Sequence, residues 1–387
     1  MTEQRRPKRV LFLINDAQFF VTHILPLARA AVAAGFDVHV ALPFRGAALD
    51  MAAALSSIRA SGACLHDLPI RRGGMGWLGE LTALFMTFSV VRRLRPDILH
   101  CITIKPVLYG GLAAWLLRVR RVIFFITGLG HVFIAQGMKA GLVRRLVMWA
   151  YAMILPYRRG VTVFENEDDR SLFVGENLVR REQTVLISGC GVDSDLFYPA
   201  SMPPPEPLIV LLPARLQQEK GVREFVAAAR MLQEQGVRVR MALAGYADFD
   251  RPGGIRASEL HAWCVEGLVE WWGHSTTMPE TLRQAHIVCL PSYREGFSKT
   301  LIEAAATGLP VITSDVPGCR DAVRAGETAL LVAPRDAHAL ADAIRQLLDD
   351  PDLRAAMGMS GRNLAVREFS EARFIAANLA LYDRQDA

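Results

Sequence analysis

The feature that most restricts this chain is an alternation: short apolar runs take turns with stretches of helical periodicity. Val10–Ile14 is a brief apolar run bounded by polar residues, and a helical pattern follows from about His23 to Ala34, ended by Gly35. Asp37–Leu42 reads as the next strand, Leu81–Leu94 as a helix, Ile98–Ile102 as a strand, Val107–Leu117 as a helix and Arg121–Ile126 as a strand. Strands separated by helices predict a parallel sheet covered on both faces.

The rhythm breaks once and then resumes. Residues 188–207 hold Gly189, Gly191 and five prolines and read as an interdomain linker. A second alternation starts at Leu208–Pro213. It continues through a helix at Val222–Gln235, strands at Arg240–Ala244 and Ile287–Leu290, a helix at Lys299–Thr307 and a strand at Pro310–Thr313. Helices at Ala337–Asp349 and Asp352–Val366 follow. The expected organisation is an N-terminal domain over 1–187 and a C-terminal domain over 208–370, both doubly wound. A last helical segment, 371–387, is expected to pack back on the first domain. Ligands of such sheets bind outside the carboxyl ends of the strands.

Composition narrows the classes. At 51% hydrophobic and 21% charged residues, the chain is too apolar to be disordered. Its six cysteines are scattered without a CxxC pair, which fits reduced cytosolic thiols rather than a zinc site or a disulfide framework. No apolar run reaches the ~18–20 uncharged residues of a membrane-spanning helix, and the basic N-terminus lacks the long apolar core of a signal peptide. The expected location is therefore cytoplasmic. The net charge of +5 is uneven: 24 Lys+Arg face 13 Asp+Glu up to Ile187, and 20 face 26 beyond it. A basic first half attracts a polyanion, either nucleic acid or an anionic membrane.

Two short patterns fail on context. Gly74-Met-Gly76-Trp-Leu-Gly79 spells a dinucleotide fingerprint but does not follow the first strand, and reads as a loop. Asp248-Phe-Asp250 could hold a divalent metal, yet sits in a Gly/Pro-rich surface stretch, so no metal site is expected. The informative text begins at Ala214-Arg-Leu-Gln-Gln-Glu-Lys-Gly221, between a strand and a helix. Arg215 and Lys220 can converge on a diphosphate there, with the helix start adding N–H donors. The alternative is a solvated loop with two surface cations. Pro291-Ser-Tyr-Arg-Glu295-Gly-Phe-Ser-Lys-Thr-Leu-Ile-Glu303 adds two carboxylates, Glu295 in a turn and Glu303 about one turn inside a helix. Carboxylates accept from sugar and ribose hydroxyls, whereas phosphate suits the N–H groups of Gly296, Phe297, Ser298, Lys299 and Thr300.

This R-x4-K and E-x7-E pattern resembles the retaining glycosyltransferases of family 4, which have the GT-B fold: two Rossmann-like domains facing across a cleft. Ile187-Ser-Gly-Cys-Gly-Val-Asp193, Pro317-Gly-Cys319 and Gly326–Val332 resemble further segments of that family. In the N-terminal half, Phe20-Val-Thr-His23-x-Leu-Pro26, Lys105-Pro-x-x-x-Gly110, Thr127-Gly-Leu-Gly130 and Phe164-Glu-Asn166-Glu-x-Asp-Arg170 resemble one subgroup. Its members extend undecaprenyl-diphosphate-linked sugars in bacterial surface-glycan, O-antigen or glycoprotein assembly. They include a transferase that adds N-acetylgalactosamine to lipid-linked diacetylbacillosamine, whose text Gly128-Leu-Gly130 and Gln136-Gly137-x-Lys139-Ala140 also resemble.

The resemblance implies a UDP-sugar donor, no metal or other cofactor, and a lipid-diphosphate-linked saccharide acceptor. Arg215 and Lys220 would meet the leaving diphosphate, Glu295 the donor sugar and Glu303 the ribose. Thr127, Gly128, Gly130, Lys105 and Asn166 would lie toward the acceptor or the interdomain loop. The loop after the first strand lacks the glycines many members carry, which makes His23 a candidate for acceptor or diphosphate; a helix cap or core histidine is the plainer alternative. The implied location is the inner face of the cytoplasmic membrane. Leu142, Leu146, Trp149, Ala150 and Met153 fall on one helical face between pairs of arginines, and Leu81–Leu94 is a second such helix. Core helices with arginine caps are the alternative for both. Nucleic acid is disfavoured, because no nucleic-acid motif accompanies the charge. Other readings keep the fold: a nucleotide-sugar 2-epimerase, a soluble glycan synthase, or a non-catalytic nucleotide-sugar-binding subunit.

Overall fold

The structure, a computed structural model, describes residues 6–44, 51–71, 76–129, 138–201, 206–247, 249 and 253–383, without the side chains of 138–140. The chain divides into two units, one comprising residues 1–190 with 374–387, the other 191–373.

The first unit is built on a seven-stranded sheet, entirely parallel. Its strands are β1 (Arg9–Leu13), β2 (Asp37–Leu42), β3 (Cys64–Asp67), β4 (Ile98–Ile102), β5 (Arg121–Ile126), β6 (Gly160–Phe164) and β7 (Thr184–Leu186), in the order β3-β2-β1-β4-β5-β6-β7. Alternation along β1 supplies both faces. Val10 and Phe12 enter one core, while Leu11 and Leu13 enter the other. The chain end joins the first of these cores through Phe374, Leu381 and Tyr382 of the helix Glu371–Asp383. Tyr382 meets His100 Nδ1 at 3.0 Å, and burial pushes His100 down to about 3.

The second unit has six parallel strands: β8 (Ile209–Pro213), β9 (Arg240–Ala244), β10 (Glu270–Trp271), β11 (Ile287–Leu290), β12 (Val311–Ser314) and β13 (Ala329–Val332). Their order is β10-β9-β8-β11-β12-β13. Helices cover both faces, as two separate buried clusters show.

Two expectations need revising. Residues 188–207 are not wholly linker: the first unit ends at Cys190, and Val192 and Phe197 are buried in the core of the second. Val192 N–H donates to Phe369 O at 2.8 Å, and Glu371 N–H donates back to Val192 O at 3.0 Å, which fixes this stretch in place. The first helix starts earlier than His23, at Ala17, because Asp16 caps it by accepting from Phe19 N–H at 2.8 Å. A π-helical turn, Phe20–Ile24, then precedes the regular helix Leu25–Ala33. All six cysteines are free, with Cys64 exposed, Cys264 half-buried and the rest buried. Among the described residues no helix is long and apolar enough to cross a membrane.

Candidate active site

In the second sheet the chain runs from β8 outward in one direction to β9 and β10, and from β11 in the other to β12 and β13. The loops after β8 and β11 therefore diverge at the point where a doubly wound sheet binds its ligand. The expected residues stand on these two loops: Arg215 and Lys220 follow β8, and Glu295 follows β11.

Glycine and backbone hydrogen bonds join the two loops. Gly221 has φ +72°, and a Cβ there would lie 2.2 Å from Pro291 O. Tyr293 N–H donates to Glu219 O at 2.9 Å. On the other side Glu295 N–H donates to Pro317 O at 3.2 Å, and Ser298 N–H donates to Gly318 O at 2.9 Å. Gly318 has φ +77°, with no room for a side chain against Glu295 O. The turn that carries Glu295 is thus held from both neighbouring loops.

Lys220 Nζ lies 2.5 Å from Glu295 Oε1, an ion pair whose side chains are only 17% and 14% exposed. Ser292 Oγ donates to the same oxygen at 2.7 Å. Arg215 is exposed at the end of β8, in a tight turn where Gln217 N–H donates to Arg215 O at 2.8 Å. The helix Lys299–Ala306 begins just past the turn, with buried Ser298 as its N-cap residue. The first N–H groups of a helix have no intrahelical partner, and its dipole favours an anion at that end. Gly296, Phe297, Lys299 and Thr300 surround this start; Phe297 is buried edge-on against Phe369. Glu303 sits one turn inside, with Lys299 Nζ 3.5 Å from its Oε1. Burial pushes the Glu303 carboxyl above the usual range, and Lys299 opposes that rise.

Several neighbours of this site were given no role by sequence. Ser292 is fully buried beside Glu295. Cys319 is buried close by, its thiol pushed up to about 12 by burial and by the Glu295 charge, so it is an inert packing group. Tyr293 donates to Glu224 Oε1 at 2.6 Å, and the Arg335 guanidinium lies 4.4 Å from its ring centre. The Pro291-Ser-Tyr-Arg stretch was legible only as the text between a strand end and the turn that carries Glu295.

The first sheet has its own switch point, between β1 and β4. There Thr103 Oγ1 donates to Asn15 Oδ1 at 2.9 Å, joining the two loops. Lys105, in the first turn of the helix Ile104–Leu117, meets Glu80 Oε1 at 2.6 Å, and Tyr109 OH donates to the other Glu80 oxygen. His23 lies in the π-helical turn after β1. Its ring stacks on Phe19 at 4.0 Å and its Nδ1 is 2.7 Å from Thr22 Oγ1. Such π turns recur at functional sites. Thr127 and Gly128 follow β5, Gly128 with φ +103°. Asn166 is buried and caps the helix Glu167–Gly175 by accepting from Asp169 N–H at 2.7 Å, a structural duty at that position. Gly130, Gln136, Gly137, Gly74, Asp248 and Asp250 lie outside the described residues. Among the described residues no group of three His, Cys, Asp or Glu side chains is placed to hold a metal.

Two helices of this unit turn apolar residues outward. Trp77, Leu78, Leu81 and Phe85 are exposed on the helix Gly76–Leu94, as are Leu142, Leu146, Trp149 and Met153 on the helix Met138–Ile154. Their opposite sides, through Val90, Val91 and Tyr151, enter the core.

Residues 9–154 match the family described as Glycosyl transferase 4-like, and residues 197–364 match Glycosyl transferases group 1. Together with the two parallel-sheet units, these matches place the chain among the GT-B glycosyltransferases, and it is a glycosyltransferase enzyme. The chain is 28% identical over 317 residues to the N,N'-diacetylbacillosaminyl-diphospho-undecaprenol alpha-1,3-N-acetylgalactosaminyltransferase of Campylobacter jejuni, covering 79% of this chain and 81% of that one. It is 23% identical over 316 residues to the capsular polysaccharide biosynthesis glycosyltransferase CapM of Staphylococcus aureus, with the same coverage of 79% and 81%. In architecture it superposes on Anabaena HepE, solved with UDP and glucose, with a TM-score of 0.76 at 18% identity over 96% of this chain and 99% of that one. Its homologues thus include enzymes of lipid-linked and capsular polysaccharide assembly.

Proposed function

We propose that this enzyme moves a hexose or N-acetylhexosamine from a UDP-sugar to an undecaprenyl-diphosphate-linked saccharide, with retention of anomeric configuration. It would do so at the cytoplasmic membrane face, in the assembly of a surface polysaccharide, O-antigen or glycoprotein glycan. The observation that carries the reading is the Lys220–Glu295 pair at the β8/β11 switch point, beside the start of the helix Lys299–Ala306. One ammonium donor goes to Glu295, which leaves two for phosphate oxygens. Arg215, Lys220 and the helix start stabilise the charge that develops on the leaving diphosphate, so no metal is required. Glu295 accepts from donor-sugar hydroxyls and Glu303 from the ribose. The departing phosphate oxygen takes the acceptor proton on the same face, and no protein nucleophile takes part.

The lipid acceptor is supported by the Campylobacter relative, whose name specifies a diphospho-undecaprenol acceptor, and by the outward apolar faces flanked by arginine. On the first unit, Lys105 and His23 stand in the helical turns that follow the neighbouring strands β4 and β1, and suit the acceptor. Membrane-reconstituted protein offered radiolabelled UDP-sugars and mixed undecaprenyl-diphosphate-saccharides tests this. Label from one sugar in organic-extractable lipid is the expected result. Label only in aqueous glycan, or UDP release without lipid label, would overturn the lipid acceptor.

A further inference from the structure

The amino edge of the first sheet carries a feature the transfer reaction does not use. In a parallel sheet the residues just before each strand share one edge, opposite the loops that hold Lys105 and Thr127. Arginines collect on that edge: Arg92, Arg93 and Arg95 before β4, Arg118 and Arg120 before β5, Arg158 and Arg159 before β6. A cation near a helix C-terminus answers the helix dipole, which accounts for one such residue at each end but not for pairs. The guanidinium groups of Arg118, Arg120, Arg158 and Arg159 have no hydrogen-bond or ion-pair partner among the described residues.

Arg118 and Arg158 border an open groove of about 520 Å³ between the ends of the helices Ile104–Leu117 and Met138–Ile154, lined also by Trp115, Leu116, Met153 and Tyr157. Above it the two helices touch, since a Cβ on Gly111 would lie 2.2 Å from Ile154 Cγ2. At its base Tyr157 OH donates to Val119 O at 2.7 Å, which ties the two chain turns together. Trp115, Leu116 and Met153 are 63%, 54% and 61% exposed. Met153 continues the outward stripe of Leu142, Leu146 and Trp149 on its own helix, so the groove is the cationic end of an apolar face.

This pairing of chemistries selects an amphipathic anion. A soluble phosphate gains nothing from exposed Trp, Leu and Met, whereas a lipid supplies both a phosphodiester and an acyl boundary, where Trp is favoured. We propose that the groove is a headgroup site for an anionic phospholipid, with Arg118 and Arg158 on the phosphate and Trp115, Leu116 and Met153 entering the interface. The proposal rests on the membrane part of the function proposed above.

The test is sedimentation of the full chain with phosphatidylcholine vesicles, with and without phosphatidylglycerol. Arg118→Asn with Arg158→Gln keeps a residue that tolerates the left-handed backbone of Arg118, φ +54°. The double variant should partition to anionic vesicles about 30-fold more weakly, about 2 kcal/mol at about 1 kcal/mol per surface charge. Its binding to neutral vesicles and its turnover of detergent-solubilised acceptor should not change. Brominated lipid should quench wild type more than Trp115→Phe. Wild type that prefers anionic vesicles, beside a double variant that binds them equally well, would overturn the groove and leave the membrane reading standing. Wild type that binds neither kind of vesicle would overturn both.

Discussion

Lys220→Met separates chemistry from scaffolding. The Lys220–Glu295 pair is 2.5 Å long and mostly out of water, at 17% and 14% exposure. Removing one partner of a buried pair costs about 3–5 kcal/mol, because the other charge stays behind. Ser292 Oγ still donates to Glu295 and the site is not sealed, so the lower end, about 3 kcal/mol, applies. For a unit spanning residues 191–373, each kcal/mol moves the melting midpoint by about 2–4 °C, which predicts a fall of about 6–12 °C. Adding Glu295→Gln removes the stranded charge, and most of that loss should return. Activity should behave otherwise. Loss of a contact to the charge developing on the diphosphate costs on the order of 10²–10³ in kcat, and the double variant lacks that cation as fully as the single. The assays are UDP release, for kcat and KM, and thermal melting of both variants. A double variant that recovers both stability and turnover would refute the argument, because Lys220 would then only hold the turn in place.

Three further outcomes are expected. Burial holds the folded Glu303 carboxyl above its ordinary 4.5, so the native state keeps a proton that the unfolded chain gives up; this contribution to stability is full below about pH 4.5 and is lost as pH rises through the folded value. Glu303→Gln should therefore gain on wild type in melts taken upward from pH 4.5 while binding UDP more weakly, and a pH-independent gap or unchanged UDP affinity would count against the assignment. Gly221→Ala forces a side chain into φ +72° and against Pro291 O, which should lower stability by about 2 kcal/mol or more and reduce kcat/KM; an unchanged melt would show that the β8 and β11 loops are not locked there. Neutralising Arg144 and Arg145 together should weaken binding to anionic vesicles about 30-fold at low salt, and undiminished binding would remove that helix from the membrane face.

What the sequence disclosed follows from burial. β1, β2, β4, β5 and β11 are nearly continuous buried apolar runs, and only a covered parallel sheet accommodates such runs at that spacing. β3 escaped notice because Cys64-Leu-His-Asp67 is a half-exposed edge strand with two polar residues. β6, Gly160–Phe164, was passed over because only its last residue enters a motif that was read for its polar residues. Glu295 in a turn and Glu303 one turn inside a helix were both readable, since a strand end and a helix start frame them. The Lys220–Glu295 contact was not, because it joins residues 75 positions apart. It depends on β8 and β11 being neighbours, and strand order is a property of the folded sheet. Cys319 comes close through a different pairing, that of β11 with β12, whereas Ser292 is a local neighbour, three residues before Glu295 on the same loop.

The two sheets solve one problem in the same way. In each, the first strand pairs with a later strand across the reversal in strand order, β1 with β4 and β8 with β11, and the loops that follow carry the charged side chains. In each a lysine is held by a carboxylate, Lys105 by Glu80 and Lys220 by Glu295. An ammonium taken partly out of water needs such a partner to offset its desolvation, but one carboxylate leaves two donors for a ligand. The partner also aims the flexible four-carbon stem, so on the proposed function a phosphate would meet a positioned cation rather than one that must first be ordered. The long-range field differs between the halves, with 24 Lys+Arg against 13 Asp+Glu up to Ile187 and 20 against 26 beyond. On the proposed function, the first half would draw an anionic surface from a distance, whereas Lys220 would act within an acidic half and depend on local geometry. Charge-reversing substitutions on the exposed arginines should therefore change vesicle binding and leave UDP affinity alone, while Lys220→Met should do the opposite.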